Sequence, residues 1–478
     1  MGSSQWKDLD DREFELALGE SVDENISTDI AAEMMPCGRV MRLILIGLVL
    51  QTITFDFLKL NYILPFIGTI LSLLGYRKLK NENVWFRLDY ITSWLNTAYS
   101  VIFMILNTML IHCDERLAAV NRVLVVVLMA VKLAQLVWLW LGIRAVQKKA
   151  GLARGAYSAG FLLVWYAAVL AIGLIKYGSA LSTFMFVALI VVYGLLLCAM
   201  HRLSGELDEA GYAVRLSVIK VTDRVIASAV SAVLIVGCVC GYIFGSSYHM
   251  AWSIAESADT QIKDRLLEQG FPDYVLNDLT QEELAACDGA LDIVTNVNKN
   301  ENGLQFTDVA VRVPDEEERW LVFHYFRWTE DRKFYGTDVV QVWTAYRDLP
   351  QNWTACGEIS GRVMYDSDGV TYASPYHSLG TETYEQQYWI DEVRTVTDIF
   401  GTFSFPHKGK NCRGYIVYST IHSGEDVFFS SFINYTHQDS PMQYPVIMAY
   451  GSRTTSRIEK KPFATTQNHF TFDADKAE

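Results

Sequence analysis

A chain of 478 residues that is 51% hydrophobic and 20% charged is too apolar for an ordinary soluble protein and too polar for a membrane bundle throughout. Such a balance implies a composite of two parts. The net charge of −14 comes mainly from the N-terminal tail and the region after Gly245, which argues against a nucleic-acid partner, since phosphate contact needs a basic footprint.

Residues 1–38 form an acidic tail, expected to be cytoplasmic, in which residues such as Asp8, Glu13, Asp23 and Glu33 keep the chain solvated. The tail is acidic and the first apolar run starts only near Val40, so no cleavable signal peptide is expected. From 39 to 246, apolar runs recur with the length that crosses a bilayer core of about 30 Å as a helix. Seven spans are predicted, at 39–57, 60–76, 93–111, 123–143, 158–176, 181–200 and 225–245. Counting seven gathers Arg39 and Arg42, then Arg77, Lys78, Lys80 and Arg87, then Arg144, Lys148, Lys149 and Arg154, then Arg202, Arg215, Lys220 and Arg224 on one side. Basic residues in short loops resist translocation, so the count predicts a cytoplasmic N-terminus and an extracytoplasmic C-terminal region. Gly237 and Gly241 in the last span, with Ser228 and Ala232 one face away, suit close helix packing in lipid, either inside the bundle or between copies of the chain.

Residues 247–303 read as a helical stalk, with a capping box at Thr280 and Glu283. From 304 to 478 the pattern changes to strand-like runs such as RWLVFHYFRW and CRGYIVYSTI, rich in β-branched and aromatic residues and separated by turn residues. An antiparallel sandwich or jelly roll is expected there.

Within the second span, Ile63, Leu64, Pro65, Phe66, Ile67 and Gly68, followed by Gly75, Lys78, Leu79, Glu82, Asn83 and Phe86, resemble a pattern of uncharacterised multi-pass membrane proteins of Gram-positive, Firmicutes-type bacteria. The resemblance is confined to residues 55–86, and the acidic residue of that pattern is replaced here by Phe66 after Pro65. It implies a bacterial cytoplasmic membrane and no particular activity.

Lys132 sits near the centre of VLVVVLMAVKLAQLVWLWL. A mid-bilayer charge costs several kcal/mol, so it should face the bundle interior or water. Gln135, three residues on, shares its helical face, and Asn96, Ser100, Asn107, Thr108, Ser228 and Ser231 are the expected neighbours. Asp56 is the only carboxylate expected near a span interior, close to the outer surface. This polar seam around Lys132 and Gln135 is either an ion- or anion-coupling site or a structural lysine that snorkels or hydrogen-bonds its neighbours.

In the outer region Trp353, Trp343, Trp328 and Tyr376 are candidate ligand-binding aromatics, the alternative being that they fill the sandwich core. Trp353, in the polar run PQNWT, leans toward exposure. Cys356 and Cys412 are the best candidate disulfide in an oxidising compartment. Asp366 to Gly369, DSDG, is read as a hairpin turn in preference to a calcium loop. No cofactor, metal or catalytic motif is expected, since HExxH, GxSxG, phosphate-loop and dinucleotide patterns are missing from the sequence. Ser217 to Lys220 matches SxxK but lies in an amphipathic stretch suited to a membrane surface. The favoured expectation is an envelope protein displaying a β-rich domain to a ligand, wall glycan or protein partner. The alternative is a transporter or permease subunit built on Lys132, Gln135 and a helix break at Pro65 and Gly68.

Overall fold

The computed structural model describes residues 37–113, 115–152, 156–173, 179–210, 221–256, 260–299, 303–344, 352–389, 392–423, 428–441, 443–454 and 462–476. The acidic tail up to residue 36 and the SxxK run lie outside the described residues. The chain divides into two compact units, 1–106 with 115–239, and 107–114 with 240–478.

Long helices occupy each predicted span: α1 (Cys37–Thr52), α2 (Leu60–Leu79), α3 (Val84–Leu106), α4 (Glu115–Lys149), α5 (Tyr157–Gly173), α6 (Ser179–Glu209) and α7 (Asp223–Gly245). Among the described residues, four stretches, Phe57–Leu79, Arg122–Lys149, Phe184–Glu209 and Asp223–Gly245, are long and apolar enough to cross a membrane. That is fewer than the seven expected. α1 has 16 residues, and α3 carries Arg87, Asp89, Ser93, Asn96, Thr97 and Ser100 along an otherwise apolar sequence.

Small residues set the α1–α2 contact. A Cβ added to Gly68 would lie 2.6 Å from the Gly47 carbonyl oxygen, and one added to Gly75 would lie 2.5 Å from Ile44, so the two backbones cross closely. The expected break at Pro65 and Gly68 is therefore a correction: α2 runs through both. Pro65 falls in the second turn, where its missing N–H forfeits one bond, while Gly68 serves packing. The chain bends earlier, at Leu58 and Lys59, with φ of 51° and 58°. Left-handed backbone costs such residues about 1–2 kcal/mol each. The α1 N-terminus is capped by Asp208, whose carboxylate accepts the Cys37 and Gly38 amides at 2.5 and 3.0 Å. Gly237 packs against Ile105 of α3, so part of the small-residue face is used inside the bundle, and Gly241 is buried.

The second unit is an antiparallel β-sandwich. Its strands are β1 (Ser253–Ile254), β2 (Asp292–Lys299), β3 (Leu304–Val313), β4 (Glu318–Trp328), β5 (Asp338–Trp343), β6 (Trp353–Ser367), β7 (Val370–Pro375), β8 (Ser378–Trp389), β9 (Glu392–Phe403), β10 (Lys410–His422), β11 (Phe428–Gln438) and β12 (Phe463–Asp473). One sheet has the order β1-β7-β6-β10-β4-β3-β2 and the other β12-β11-β5-β9-β8. On β4, Trp320, Val322, Phe326 and Trp328 point between the sheets, whereas Phe323 and Tyr325 point the other way into a helical layer. Both faces are thus buried, which is why RWLVFHYFRW lacks clean alternation. Each such fully buried side chain contributes roughly 1.5–3 kcal/mol.

The helices α8 (Thr260–Glu268), α9 (Asp273–Leu276) and α10 (Gln281–Ala286) form that layer, burying Leu266, Phe271, Leu276 and Leu284 on the seven-stranded sheet. The expected stalk is therefore a third layer, and it also contributes strands before residue 304, the short β1 at Ser253–Ile254 and β2 from Asp292. Arg413 locks the layer down, donating to both Asp278 oxygens at 2.7 and 3.1 Å and to Asp366 at 2.9 Å. α10 carries the expected capping box, Thr280 with Glu283. Asp368 and Gly369, φ 52° and 78°, close the β6–β7 hairpin as the two-residue turn read from DSDG. A short helix, α11 (Ala449–Thr454), covers part of the outer face of the five-stranded sheet.

Candidate functional site

α3 begins at Val84, nine residues before the predicted span, and this extension places polar residues in the bundle interior. Asp89, Ser93, Asn96 and Ser100 recur at spacings of four, three and four, which aligns them on one helical face. On α4, Lys132 and Gln135 share a face in the same way. The two stripes meet: Gln135 donates to Ser93 Oγ at 3.0 Å and accepts from Asn96 Nδ2 at 3.2 Å.

Lys132 does not snorkel to an interface. Its Nζ donates to Gln51 Oε1 at 2.6 Å, and Gln51 Nε2 donates in turn to Ser72 Oγ at 2.9 Å. The seam therefore ties α1, α2, α3 and α4 together. Asp89 is fully buried and faces Lys132 electrostatically, yet neither of its carboxylate oxygens has a hydrogen-bond partner among the described residues. A buried carboxylate left in this way is costly unless a counter-charge compensates it. The field of Lys132 reaches Asp89, but the two form no ion pair among the described residues, and the ammonium itself is held by Gln51.

Lys132 also opens onto a cavity of about 510 Å³. Its polar lining includes Gln51, Thr52, Asn61, Asn96 and Ser100, and its walls include Tyr62, Pro65, Tyr99, Phe103 and Tyr166. Tyr99 and Phe103 stack with centroids 5.8 Å apart, and Tyr62 stacks on Phe103 at 6.5 Å. On the α1 wall the Thr52 hydroxyl donates to the Leu48 carbonyl at 2.8 Å and meets the hydroxyls of Tyr166 and Tyr193. A mostly apolar cavity with a few convergent polar groups has the chemistry of a small-molecule site.

Of the residues expected around the seam, Lys132, Asn96 and Ser100 line the cavity and Gln135 bonds to Asn96 and Ser93, whereas Asn107, Thr108, Ser228 and Ser231 do not line it. The sequence reading missed Gln51, Ser72, Ser93 and above all Asp89. Asp56 lies exposed and accepts from Asn61 at 2.9 Å, so the interior carboxylate is Asp89 and not Asp56. The spacing of Asp89, Ser93, Asn96 and Ser100 was the available signal.

In the β unit, Trp328, Trp353 and Tyr376 are buried, 6%, 6% and 7% exposed. Trp353 packs edge-on against Trp320 and Phe429, which corrects the exposure expected from its polar flanks: Thr354 is exposed while the Trp353 ring turns inward. Trp343 alone of the four is half-buried, on the outer face of the five-stranded sheet, in a cross-strand ladder with Phe432 at 5.2 Å and then His469, 4.1 Å from Phe432. The disulfide expectation is also corrected. Cys356 and Cys412 are both free, and Cys356 sits opposite Ser419. Ser419 is seven residues along β10 from Cys412, roughly 23 Å at strand rise, far past the reach of about 7 Å between bridged Cα atoms. Burial pushes the Cys412 thiol well above its ordinary range.

A second polar centre lies between the sheets. His324 Nδ1 stands 2.6 Å from Asp308 Oδ1, and its Nε2 is 3.0 Å from Ser431 Oγ. These are the residue types of a hydrolytic triad, but all three are fully buried, and the Ser431 hydroxyl donates to the Trp343 carbonyl at 2.7 Å. With its proton committed there, the serine cannot hand it to the imidazole, so the trio is a structural link between the sheets.

No family model and no curated protein matches the chain. Among solved structures, delta-toxin of Clostridium perfringens is 10% identical over 39% of this chain and 90% of its own, with a TM-score of 0.21. The membrane-inserted NetB toxin of Clostridium perfringens is 7% identical over 39% and 97%, with a TM-score of 0.18. A structure titled as AvmM, which catalyses macrocyclization in alchivemycin A biosynthesis, is 12% identical over 38% and 95%, with a TM-score of 0.17. At these scores the likenesses carry no argument about fold or function.

Proposed function

We propose that this chain is an integral membrane protein whose helical unit binds a small, largely apolar solute carrying an anionic or strongly accepting group, and that it works as a transporter or permease subunit. The observation that carries this reading is Lys132, held by Gln51, at the wall of a cavity of about 510 Å³ in the bundle. The ammonium has donors to spare beyond Gln51, and the Tyr62, Tyr99 and Phe103 wall suits an apolar body. Intramembrane ionisable residues facing a cavity mark substrate or ion paths. In this reading all seven long helices span the bilayer, α3 turning its polar stripe inward and Ile91, Leu95 and Ile102 outward, with the N-terminus cytoplasmic and the β unit outside a bacterial cell membrane.

The test is uptake by proteoliposomes of radiolabelled aromatic and branched-chain carboxylates beside their neutral amides. Protein-dependent uptake of an anion but not of its amide, lost in Lys132→Met, is expected. Equal behaviour of wild type and Lys132→Met across the panel would sink the reading.

A second reading, display of a ligand-binding β domain to wall glycan or an envelope protein, is favoured by one feature, the ladder of Trp343, Phe432 and His469. Stacked rings on an open sheet face suit sugar rings. Pull-down on insoluble wall glycan should then fall at least tenfold in Trp343→Ala, and unchanged retention would remove this role.

A further inference from the structure

Away from the Lys132 cavity, a groove of about 530 Å³ runs between α1 and α6. Leu45, Ile46 and Val49 form its α1 wall and Leu197 and Cys198 its α6 wall, while Arg42, His201 and Arg202 gather at one end. All three cationic or titratable side chains are exposed, and none has an ion pair among the described residues. Among the described residues, the carboxylates at this end of the bundle are engaged apart from the exposed Glu209. Asp208 caps α1, Asp223 takes Arg77 at 3.3 Å and Lys78 at 2.8 Å, Glu82 takes Lys149 at 2.8 Å, and Glu206 has a partner of its own. Among the described residues, Arg42, His201 and Arg202 thus bring positive charge without an ion pair to the head of an apolar channel.

We propose that this groove seats an anionic phospholipid of the cytoplasmic leaflet, its phosphate held by Arg42 and Arg202 with His201 beside them, and an acyl chain lying along Ile46, Val49 and Leu197. Guanidinium groups match phosphate oxygens with paired N–H donors. The apolar walls remove a chain from water or from looser lipid contact. Basic pockets between helices on the cytoplasmic side are where anionic head groups are recognised. Charge alone would fit a free phosphate equally well; the apolar length of the groove favours the lipid. The inference rests on the reading of the helical unit as membrane-spanning.

The test uses the full-length protein and Arg42→Gln/Arg202→Gln, both substitutions being at exposed positions. Retention of phosphatidylglycerol and of phosphatidylcholine is measured by native mass spectrometry from neutral detergent, with inorganic phosphate as a competitor. Preferential retention of phosphatidylglycerol is expected, about thirtyfold weaker in the double variant, as two basic contacts imply. Inorganic phosphate at millimolar concentration should not displace it. Equal retention of the two lipids, or an unchanged preference in the variant, overturns the proposal; full displacement by phosphate shows a free-anion site and overturns the lipid as occupant. Co-flotation with pure phosphatidylcholine vesicles separates the two failures: a chain that does not float refutes the membrane reading itself, whereas one that floats without lipid preference refutes only the groove.

Discussion

At the scale of single residues, Asp89 and Lys132 define each other. Breaking a buried pair in contact costs about 3–5 kcal/mol, and Asp89 and Lys132, which sense each other without an ion pair among the described residues, should lose less than that when one charge is removed and least when both are. Lys132→Met should therefore lower thermal stability in detergent, and Asp89→Asn combined with Lys132→Met should recover most of the loss. Additive losses in the double variant would show that the two do not interact. Lys132 was legible from one charge in a hydrocarbon-like run, but Asp89 was not, because a hydropathy window lets the polar stripe of α3 push the predicted span nine residues downstream. Trp353 failed for a related reason: neighbours in sequence report the exposure of the backbone, not the direction of the ring. The cysteines give a second residue-scale prediction. All eight are free, so denatured, non-reduced protein should titrate eight thiols and migrate unchanged by reductant; six thiols and a mobility shift would restore a bridge.

At the scale of elements, the long helices were readable from the length of apolar runs and the strands from β-branched and aromatic runs between turn residues, and the capping box and hairpin turn carry their own local chemistry. What covers an element was not readable. The apolar faces of α8 and α10 look the same whether they line a free stalk or lie on a sheet, and only the sheet beneath them decides. Gly68→Leu tests the α1–α2 crossing: with the Gly47 carbonyl 2.6 Å from the first added carbon, the helices must separate. Overpacking of this kind costs about 1–3 kcal/mol, which differential scanning calorimetry would register. An unchanged melting temperature would mean that the crossing is looser than described. In the β unit, burial raises the carboxyl of Asp366, but hydrogen bonds from Asn411 and Arg413 outweigh it and hold the group below the usual range. Glu318, against His422 and Trp320, is likewise lowered despite its burial. A depressed folded value adds stability above the unfolded value, near 4, and loses it as pH falls further. The melting temperature of the β unit, followed by tryptophan fluorescence, should thus drop below about pH 4. Asp366→Asn with Glu318→Gln should flatten that drop, and an equally steep fall would assign it to other groups.

At the scale of the molecule, composition alone divided the chain, and the structure returns two compact units at nearly the same place. The sandwich class was visible from strand-like runs and turns; its sheet order was not, since pairing such as β10 between β6 and β4 joins strands distant in sequence. The account stands on the first unit being solvated by lipid and the second by water outside the cytoplasm. Glu382 lies exposed on β8, well away from the native thiols of the sandwich core, and offers a reporter for that claim. In intact cells producing Glu382→Cys, a membrane-impermeant maleimide should add one label over the wild-type chain, and permeabilisation should add none at that position. A label that appears only after the membrane is breached would place the β unit inside and contradict the account.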